Sequence, residues 1–237
     1  MAGQEHLIAV GEREHPWSLL VEVARATPAD AWVLVGGLMV HVHALRAGIV
    51  ASRPTRDIDL VLDVQATTVS AVAGPLQTLG FRPEDTTSLH RFSRGDDIVD
   101  VMVGKGERAR WLQRPVFHAP AARQAADRRD WYVLQVANGD VRIGVPDPLG
   151  AIVVKAAAYR NDQRDRPRHL EDLAVLLAAA GGRRGLGLDR LTPNDKTHLR
   201  AVTTHLGDAG HIAWSVLEDA DSQIGQRALA AVAAQVS

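Results

Sequence analysis

Residues 57–64 read Asp-Ile-Asp-Leu-Val-Leu-Asp-Val, and no other stretch narrows the possible folds of this chain as much. Ile58, Leu60 and Leu62 fall on one face of an extended segment, and Asp57, Asp59, Val61 and Asp63 on the other. Side chains alternate across a strand, so a period of two with one apolar face predicts a half-buried strand. The preceding Ser52-Arg53-Pro54 favours extended backbone, because a proline disfavours the helical region for the residue before it.

Upstream, the pattern predicts helix, strand, glycine turn, helix. Leu19, Leu20, Val23 and Ala24 are spaced as one face of a helix over 17–26. Residues 31–35 form a short apolar run, a buried strand ended by Gly36-Gly37, and 38–47 is helical up to Gly48. Downstream, 66–79 reads as an amphipathic helix closed by Gly80, with Gly74-Pro75 placed to kink or split it. Two strands, 88–93 and 97–103, flank Arg94-Gly95-Asp96 in the manner of a hairpin. After a region of mixed Arg, Pro and Ala, strands are expected at 131–136 and 141–145 around Asn138-Gly139, neighbours in sequence and in space.

From Asp147 the pattern turns helical: 148–160, with Asp147 as N-cap and Pro148 in first position, then 170–180, 193–206, 209–218 and 222–236. The expectation is an α+β fold: a mixed α/β domain over 1–145 and a helical domain over 146–237. Residues 181–188, Gly-Gly-Arg-Arg-Gly-Leu-Gly-Leu, are glycine-rich but follow a helix and lack the Gly-Lys-Ser/Thr ending of a phosphate loop. They read as a flexible connection between helices.

Composition limits the chemistry. The absence of cysteine among 237 residues removes disulfides, thiolate zinc sites and cysteine nucleophiles, leaving carboxylates, His, Lys and Ser/Thr. With 27 basic and 28 acidic residues, a grip on nucleic acid must be a local patch. Aromatic content of 4% leaves the core to Val, Leu and Ala. No run reaches the roughly 18 uncharged apolar residues of a membrane span, and Glu5, Glu12 and Glu14 occupy the place of a signal-peptide core, so a soluble cytoplasmic protein is expected. Only Lys105, Lys155 and Lys196 are lysines.

The pair Asp57-x-Asp59 is the leading candidate for chemistry. On a strand, residues two apart share a face and lie ~6.6–6.8 Å apart along it, so both carboxylates can converge on metal ions. Acid-x-acid also occurs at Glu12-x-Glu14 and Asp219-x-Asp221, but only Asp57-x-Asp59 falls on an expected strand. The plain alternative is a solvated strand face. A strand ending in Gly36-Gly37, a helix, and then this acidic strand can bring backbone N–H groups and carboxylates to one end of a sheet, the outline of a phosphate-and-metal pocket. Asp100 is a lone charge in the apolar run 98–103, costly to bury without a metal or a basic partner. Lys155 lies inside the apolar helical segment 151–158, either snorkelling to solvent or aimed at an anion. His41 and His43, two apart on a helix, do not face each other and read as packing residues.

Gly36-Gly37, Arg53-Pro54-Thr55-Arg56-Asp57-Ile58-Asp59 and Asp100 together resemble the nucleotidyltransferase superfamily, with its polymerase-beta-like fold. The long gap from Leu38 to Arg56 is similar to that of the AbiEii-type and MenT-type nucleotidyltransferase toxins, whose Arg-x-Ser/Thr-x-Asp-hydrophobic-Asp motif has Thr55 in its Ser/Thr position here. That branch also carries a downstream helix with a lysine and then an Asp-Leu helix start, matched by Lys155 and by Asp172-Leu173. His169 stands where many relatives have a further Asp. The likeness spans residues 32–177.

The resemblance implies a mixed sheet with flanking helices and transfer of a nucleoside monophosphate from an NTP to an acceptor hydroxyl, with two Mg²⁺ ions. In that reading Asp57, Asp59 and Asp100 hold the metals, with Asp100 on the one that activates the acceptor. Gly36, Gly37, Thr55 and Lys155 contact the triphosphate, and Asp172 joins the nucleotide-binding set. The toxin branch implies a tRNA acceptor end as substrate and an antitoxin protein as partner. Two basic runs, Lys105, Arg108, Arg110, Arg114, Arg123, Arg128 and Arg129 with Trp111 and Phe117, then Arg160, Arg164, Arg166 and Arg168, are of the kind that grips phosphates and stacks a base. Solvated loops are the plain alternative. Two other readings compete: an antibiotic-type enzyme with a small-molecule acceptor, and a catalytically silent binding domain.

Overall fold

The alternation over 57–64 becomes the second strand of a six-stranded sheet in the computed structural model. The structure describes residues 3–11, 13–50, 54–84, 87–104, 107–162 and 165–236. Glu12, Ser52, Arg53, Lys105 and Arg164, singled out from the sequence, lie outside these residues. The architecture is mixed α and β with mixed sheets and a C-terminal helical region. Two compact units divide it: Met1–Met39 with Thr55–Asp147, and Val40–Pro54 with Pro148–Ser237.

In the first unit the order is β1 (Glu5–Ala9), α1 (Trp17–Ala26), β2 (Trp32–Val35), the start of α2 (Gly36–Ala47), β3 (Ile58–Leu62), α3 (Ser70–Thr78), β4 (Arg82–Pro83), β5 (Arg91–Arg94) and β6 (Asp97–Gly104). The short strands β7 (Arg110–Trp111), β8 (Arg114–Pro115) and β9 (His118–Ala119) follow, then α4 (Ala122–Asp127), β10 (Arg129–Gln135) and β11 (Val141–Pro146). Among the described residues the main sheet has the order β2-β3-β6-β5-β4, with β9 also on β6. β2 runs antiparallel to β3, β3 parallel to β6, and β5 antiparallel to β6. β2 is buried along its whole length, which explains its unbroken apolar run, whereas β3 buries Ile58, Leu60 and Leu62 and leaves Asp59 half-buried.

The structure differs from the sequence pattern in definite places. Gly36-Gly37 is the first turn of α2 and not a turn ahead of it. The helix expected at 66–79 begins at Ser70 and carries Pro75 inside it without splitting. β1 has no counterpart among the expected strands: its one fully buried residue is Ile8, Leu7 is 64% exposed, and so no clean period exists to read. It pairs in parallel with β10, the middle strand of a second sheet β1-β10-β11.

The second unit holds the remainder of α2 and then α5 (Pro148–Asn161), α6 (Arg166–Ala179), α7 (Arg183–Leu186), α8 (Pro193–Leu206) and α9 (Asp219–Val236). α5 is buried nearly all round, which its lack of a polar face foretells. α8 opens with a capping box in which Thr192 accepts from the Asp195 N–H and Asp195 accepts from the Thr192 N–H. The helix expected over 209–218 shrinks to a 3₁₀ turn, Ile212–Val216, because His211 caps it late through the Ala213 N–H. Among the described residues no helix is long and apolar enough to cross a membrane.

Candidate functional site

The sheet register of the first unit assembles a row of charged groups. Val35 on β2 pairs with Asp59 on β3, Asp59 with Asp100 on β6, and Asp100 with Arg91 on β5. Directly opposed residues on adjacent strands bring their side chains side by side on one face. Val35 leads straight into Gly36, which holds φ at +70°, where a side chain is disfavoured. A Cβ on Gly36 would overlap the Asp59 Oδ2, so the carboxylate rests against a bare Cα. Gly37 follows within the helix, and Thr55 is buried ahead of β3. Asp57 precedes the first residue of β3 and is half-buried.

Asp100 has a basic partner that the acid pattern alone does not identify. Arg91 Nε donates to its Oδ1 and Nη2 to its Oδ2, both at 2.8 Å, a planar two-bond fork. The fork holds the Arg91 guanidinium well above its ordinary basicity against the opposing effect of burial, and the charges of Asp100, Asp57 and Glu84 add to it. The buried charge of Asp100 therefore has an electrostatic explanation without a metal, and its burial alone does not require a role in chemistry. The three-residue turn expected at Arg94-Gly95-Asp96 would instead set His90 opposite Asp100, and the observed register differs from it by one residue. A two-residue turn at Gly95-Asp96 sets Arg94 opposite Asp97, and counting back along both strands sets Arg91 opposite Asp100.

Gly36, Asp59 and Asp100 are thus brought together, with Asp57 close enough for its charge to act on the same arginine. Lys155 and Asp172 belong to the second unit and meet each other. Lys155 Nζ on α5 donates to Asp172 Oδ2 on α6 at 2.6 Å, and each side chain is only 5% exposed. The anion that Lys155 reaches is this carboxylate. His169, one turn before Asp172, has both ring nitrogens buried without a hydrogen bond, its Nε2 3.9 Å from Asp162 Oδ2. Burial, and next the Lys155 charge, push its basicity down.

Several arginines of the basic runs are bound locally. Arg110 donates to the Gln113 carbonyl, Arg114 to the Glu84 carbonyl, and Arg129 to Asp63 and to the Asp30 carbonyl while stacking on Trp131. Trp111 packs on Phe92, whereas Phe117 and Leu112 stay exposed. Arg123 and Arg168 pair with acids on their own segments, and Arg166 lies over Tyr159.

Among the described residues no group of three or more His, Asp or Glu could hold a metal ion as it stands. Mg²⁺ does not need such a group, since it commonly takes one or two carboxylates, several waters and the phosphates of its substrate. Asp57 and Asp59 supply hard oxygen donors, and Asp59 stands at a glycine that leaves room beside the helix start. These residues fit a Mg²⁺ ion whose other ligands come from a triphosphate, with Asp100 shared between that ion and Arg91. Comparison with protein-family models, curated proteins and solved structures finds no match to this chain.

Proposed function

We propose that this chain is a Mg²⁺-dependent nucleotidyltransferase that moves a nucleoside monophosphate from an NTP to an acceptor hydroxyl and releases pyrophosphate. One observation carries the reading: Asp59 and Asp100 are register partners on adjacent parallel strands, and Asp59 lies against a positive-φ glycine that opens a 12-residue helix. Bound at Asp57 and Asp59, the ion would neutralise phosphate charge and polarise the reacting phosphorus. The first turn of a helix leaves N–H groups without intrahelical partners, and the start of α2 at Gly36-Gly37 would offer them to a phosphate. Thr55, buried ahead of β3, would contact the triphosphate, as the resemblance implies. Asp100, when not forked to Arg91, would join Asp57 and Asp59 as a metal ligand and take the proton of the attacking hydroxyl. Lys155 and Asp172 neutralise each other and are not needed for this scheme.

For the acceptor we propose the 3′ end of a tRNA, and for the protein the role of a toxin restrained by an antitoxin protein. Its support is the resemblance, together with the exposed Leu112 and Phe117 beside Arg110 and Arg114. A second reading, a catalytically silent binding domain, is favoured by one observation: Arg91 already occupies both oxygens of Asp100.

Purified protein incubated with Mg²⁺, total tRNA and each α-labelled NTP in turn, beside an Asp57→Ala/Asp59→Ala variant, separates these readings. Label on tRNA only with the acids intact is the expected result. Label absent from tRNA, with NTP and Mg²⁺ bound, redirects the activity to a small-molecule or protein acceptor. Failure to bind NTP leaves the silent domain.

A further inference from the structure

Arg91 is the cation in this row of acids, and the fold places it there through the register of β5 on β6. Its guanidinium is 32% exposed while Asp100 is 12% exposed, so the arginine forms the outer, solvent-reaching member of the pair. Around it stand Asp100 at hydrogen-bond distance, Asp57 and Glu84 at electrostatic range, and Asp59 directly beside Asp100 in the register. A guanidinium matches two oxygens of a carboxylate or of a phosphate equally well, and it cannot lose its proton in water. Such a group can exchange one oxyanion for another without changing charge.

We propose that Arg91 is a resident counter-ion which holds Asp100 until the metal–nucleotide complex arrives, then yields that carboxylate to the divalent cation and takes a phosphate of the nucleotide instead. The inference rests on the nucleotidyltransferase reading above and adds a residue that reading did not contain. Without nucleotide, Arg91 and a divalent cation compete for Asp100, so the apo protein binds the metal weakly. With nucleotide present, the displaced guanidinium finds a new partner, so metal and nucleotide strengthen each other's binding. Coupling of this kind commonly changes affinity about 5- to 150-fold and is reciprocal.

The test reads metal binding and not turnover. Free Mn²⁺ is followed by electron paramagnetic resonance in titrations of wild type, Arg91→Gln, Arg91→Lys and Asp59→Asn, each with and without an NTP analogue whose α–β bridge is methylene. The expected result has two parts. Arg91→Gln binds Mn²⁺ at least about fivefold more tightly than wild type when no nucleotide is present, and it loses most of the gain that the analogue gives wild type. Arg91→Lys, which keeps the charge but not the fork, falls between them. Equal or weaker Mn²⁺ binding by Arg91→Gln, with nucleotide coupling intact, makes Arg91 a structural clamp and overturns the proposal while leaving the metal site in place. If wild type binds no Mn²⁺ even with the analogue, or if Asp59→Asn binds it as wild type does, the underlying metal-site reading fails and this proposal with it. Should Arg91→Gln melt before the titration temperature, the Arg91→Lys comparison decides: no tightening and no loss of coupling is the overturning outcome.

Discussion

Two arginine- or lysine-carboxylate pairs of similar chemistry sit in opposite surroundings. Lys155 and Asp172 meet between α5 and α6, and each side chain is only 5% exposed. Arg91 and Asp100 are less enclosed, with side chains 32% and 12% exposed, and the charges of Asp57 and Glu84 also act on the Arg91 guanidinium. A pair enclosed in this way is out of reach of a ligand in solvent, and breaking it is costly. An open cluster with several carboxylates can be reached from solvent, from which a cation can arrive. The contrast teaches that burial of a charged group says little about function until the count of charges around it is known.

Breaking the two clusters should therefore give opposite results, and the largest effect belongs to the open one. On the activity proposed above, Asp57→Ala would lower nucleotide transfer by about 10³-fold or more, because the metal ligand it would lose supplies several kcal/mol of charge stabilisation. Its thermal unfolding should stay close to that of wild type. If Asp57→Ala unfolds instead, that carboxylate is structural and the comparison collapses. Lys155→Met is expected to do the reverse, costing ~3–5 kcal/mol of stability in denaturant unfolding by removing the ammonium that donates to the buried Asp172 Oδ2. Adding Asp172→Leu should restore most of it, since an apolar pair of similar volume is often as stable as the buried ions. A double variant no more stable than the single one would mean that Lys155 and Asp172 do not form a closed unit.

The two clusters differ in how far the sequence foretells them. The alternation over 57–64, the apolar run of β2 and the hairpin about Gly95 are local signals, and they suffice to set Asp59 and Asp100 on their strands, whereas Gly36 opens α2 and is not the turn that the pattern implies. Arg91 does not follow from the three-residue turn expected at Arg94-Gly95-Asp96, because the observed two-residue turn at Gly95-Asp96 shifts the register by one and puts Arg91, not His90, opposite Asp100. Lys155 shows the limit of reading one residue at a time. A lone cation in an apolar helix signals a need for an anion, but nothing local says that the anion is Asp172, 17 residues away on the next helix. β1 shows the same limit for the backbone, since its partner strand begins at Arg129 and its own pattern is half exposed.

Gly36 sharpens the view of the open cluster at smaller cost. Two glycines of α2 and its exit hold nearly the same backbone, Gly36 at φ +70° and Gly48 at φ +72°, yet an added Cβ would meet the Asp59 carboxylate at Gly36 and nothing within 4 Å at Gly48. Alanine at either position should cost ~1–2 kcal/mol for the left-handed backbone. Gly36→Ala should cost more than Gly48→Ala in chemical unfolding and should also weaken Mn²⁺ binding by moving Asp59. Equal costs and unchanged metal binding would mean that Asp59 has room to move aside, and that Gly36 matters only for its backbone.

The smallest effect concerns the closed region and its histidines. Burial, followed by the charge of Lys155, pushes His169 below its ordinary basicity, against the pull of Asp172, Asp162 and Asp165. Burial and then Arg160 do the same to His198. Because the folded chain holds these protons less tightly than the unfolded chain, the unfolded state binds more protons as pH falls through the ordinary histidine value of about 6.5. The contribution is therefore full above that value and declines below it, levelling off once the folded-state value is passed. Urea unfolding between about pH 7.5 and 5.5 should show stability falling with acidification, and His169→Asn should make the fall shallower. The variant's difference from wild type isolates the histidine from the carboxylates, which titrate lower. If His169→Asn leaves the slope unchanged, the imidazole is as well solvated folded as unfolded, and the closed region is wetter than its buried ion pair indicates.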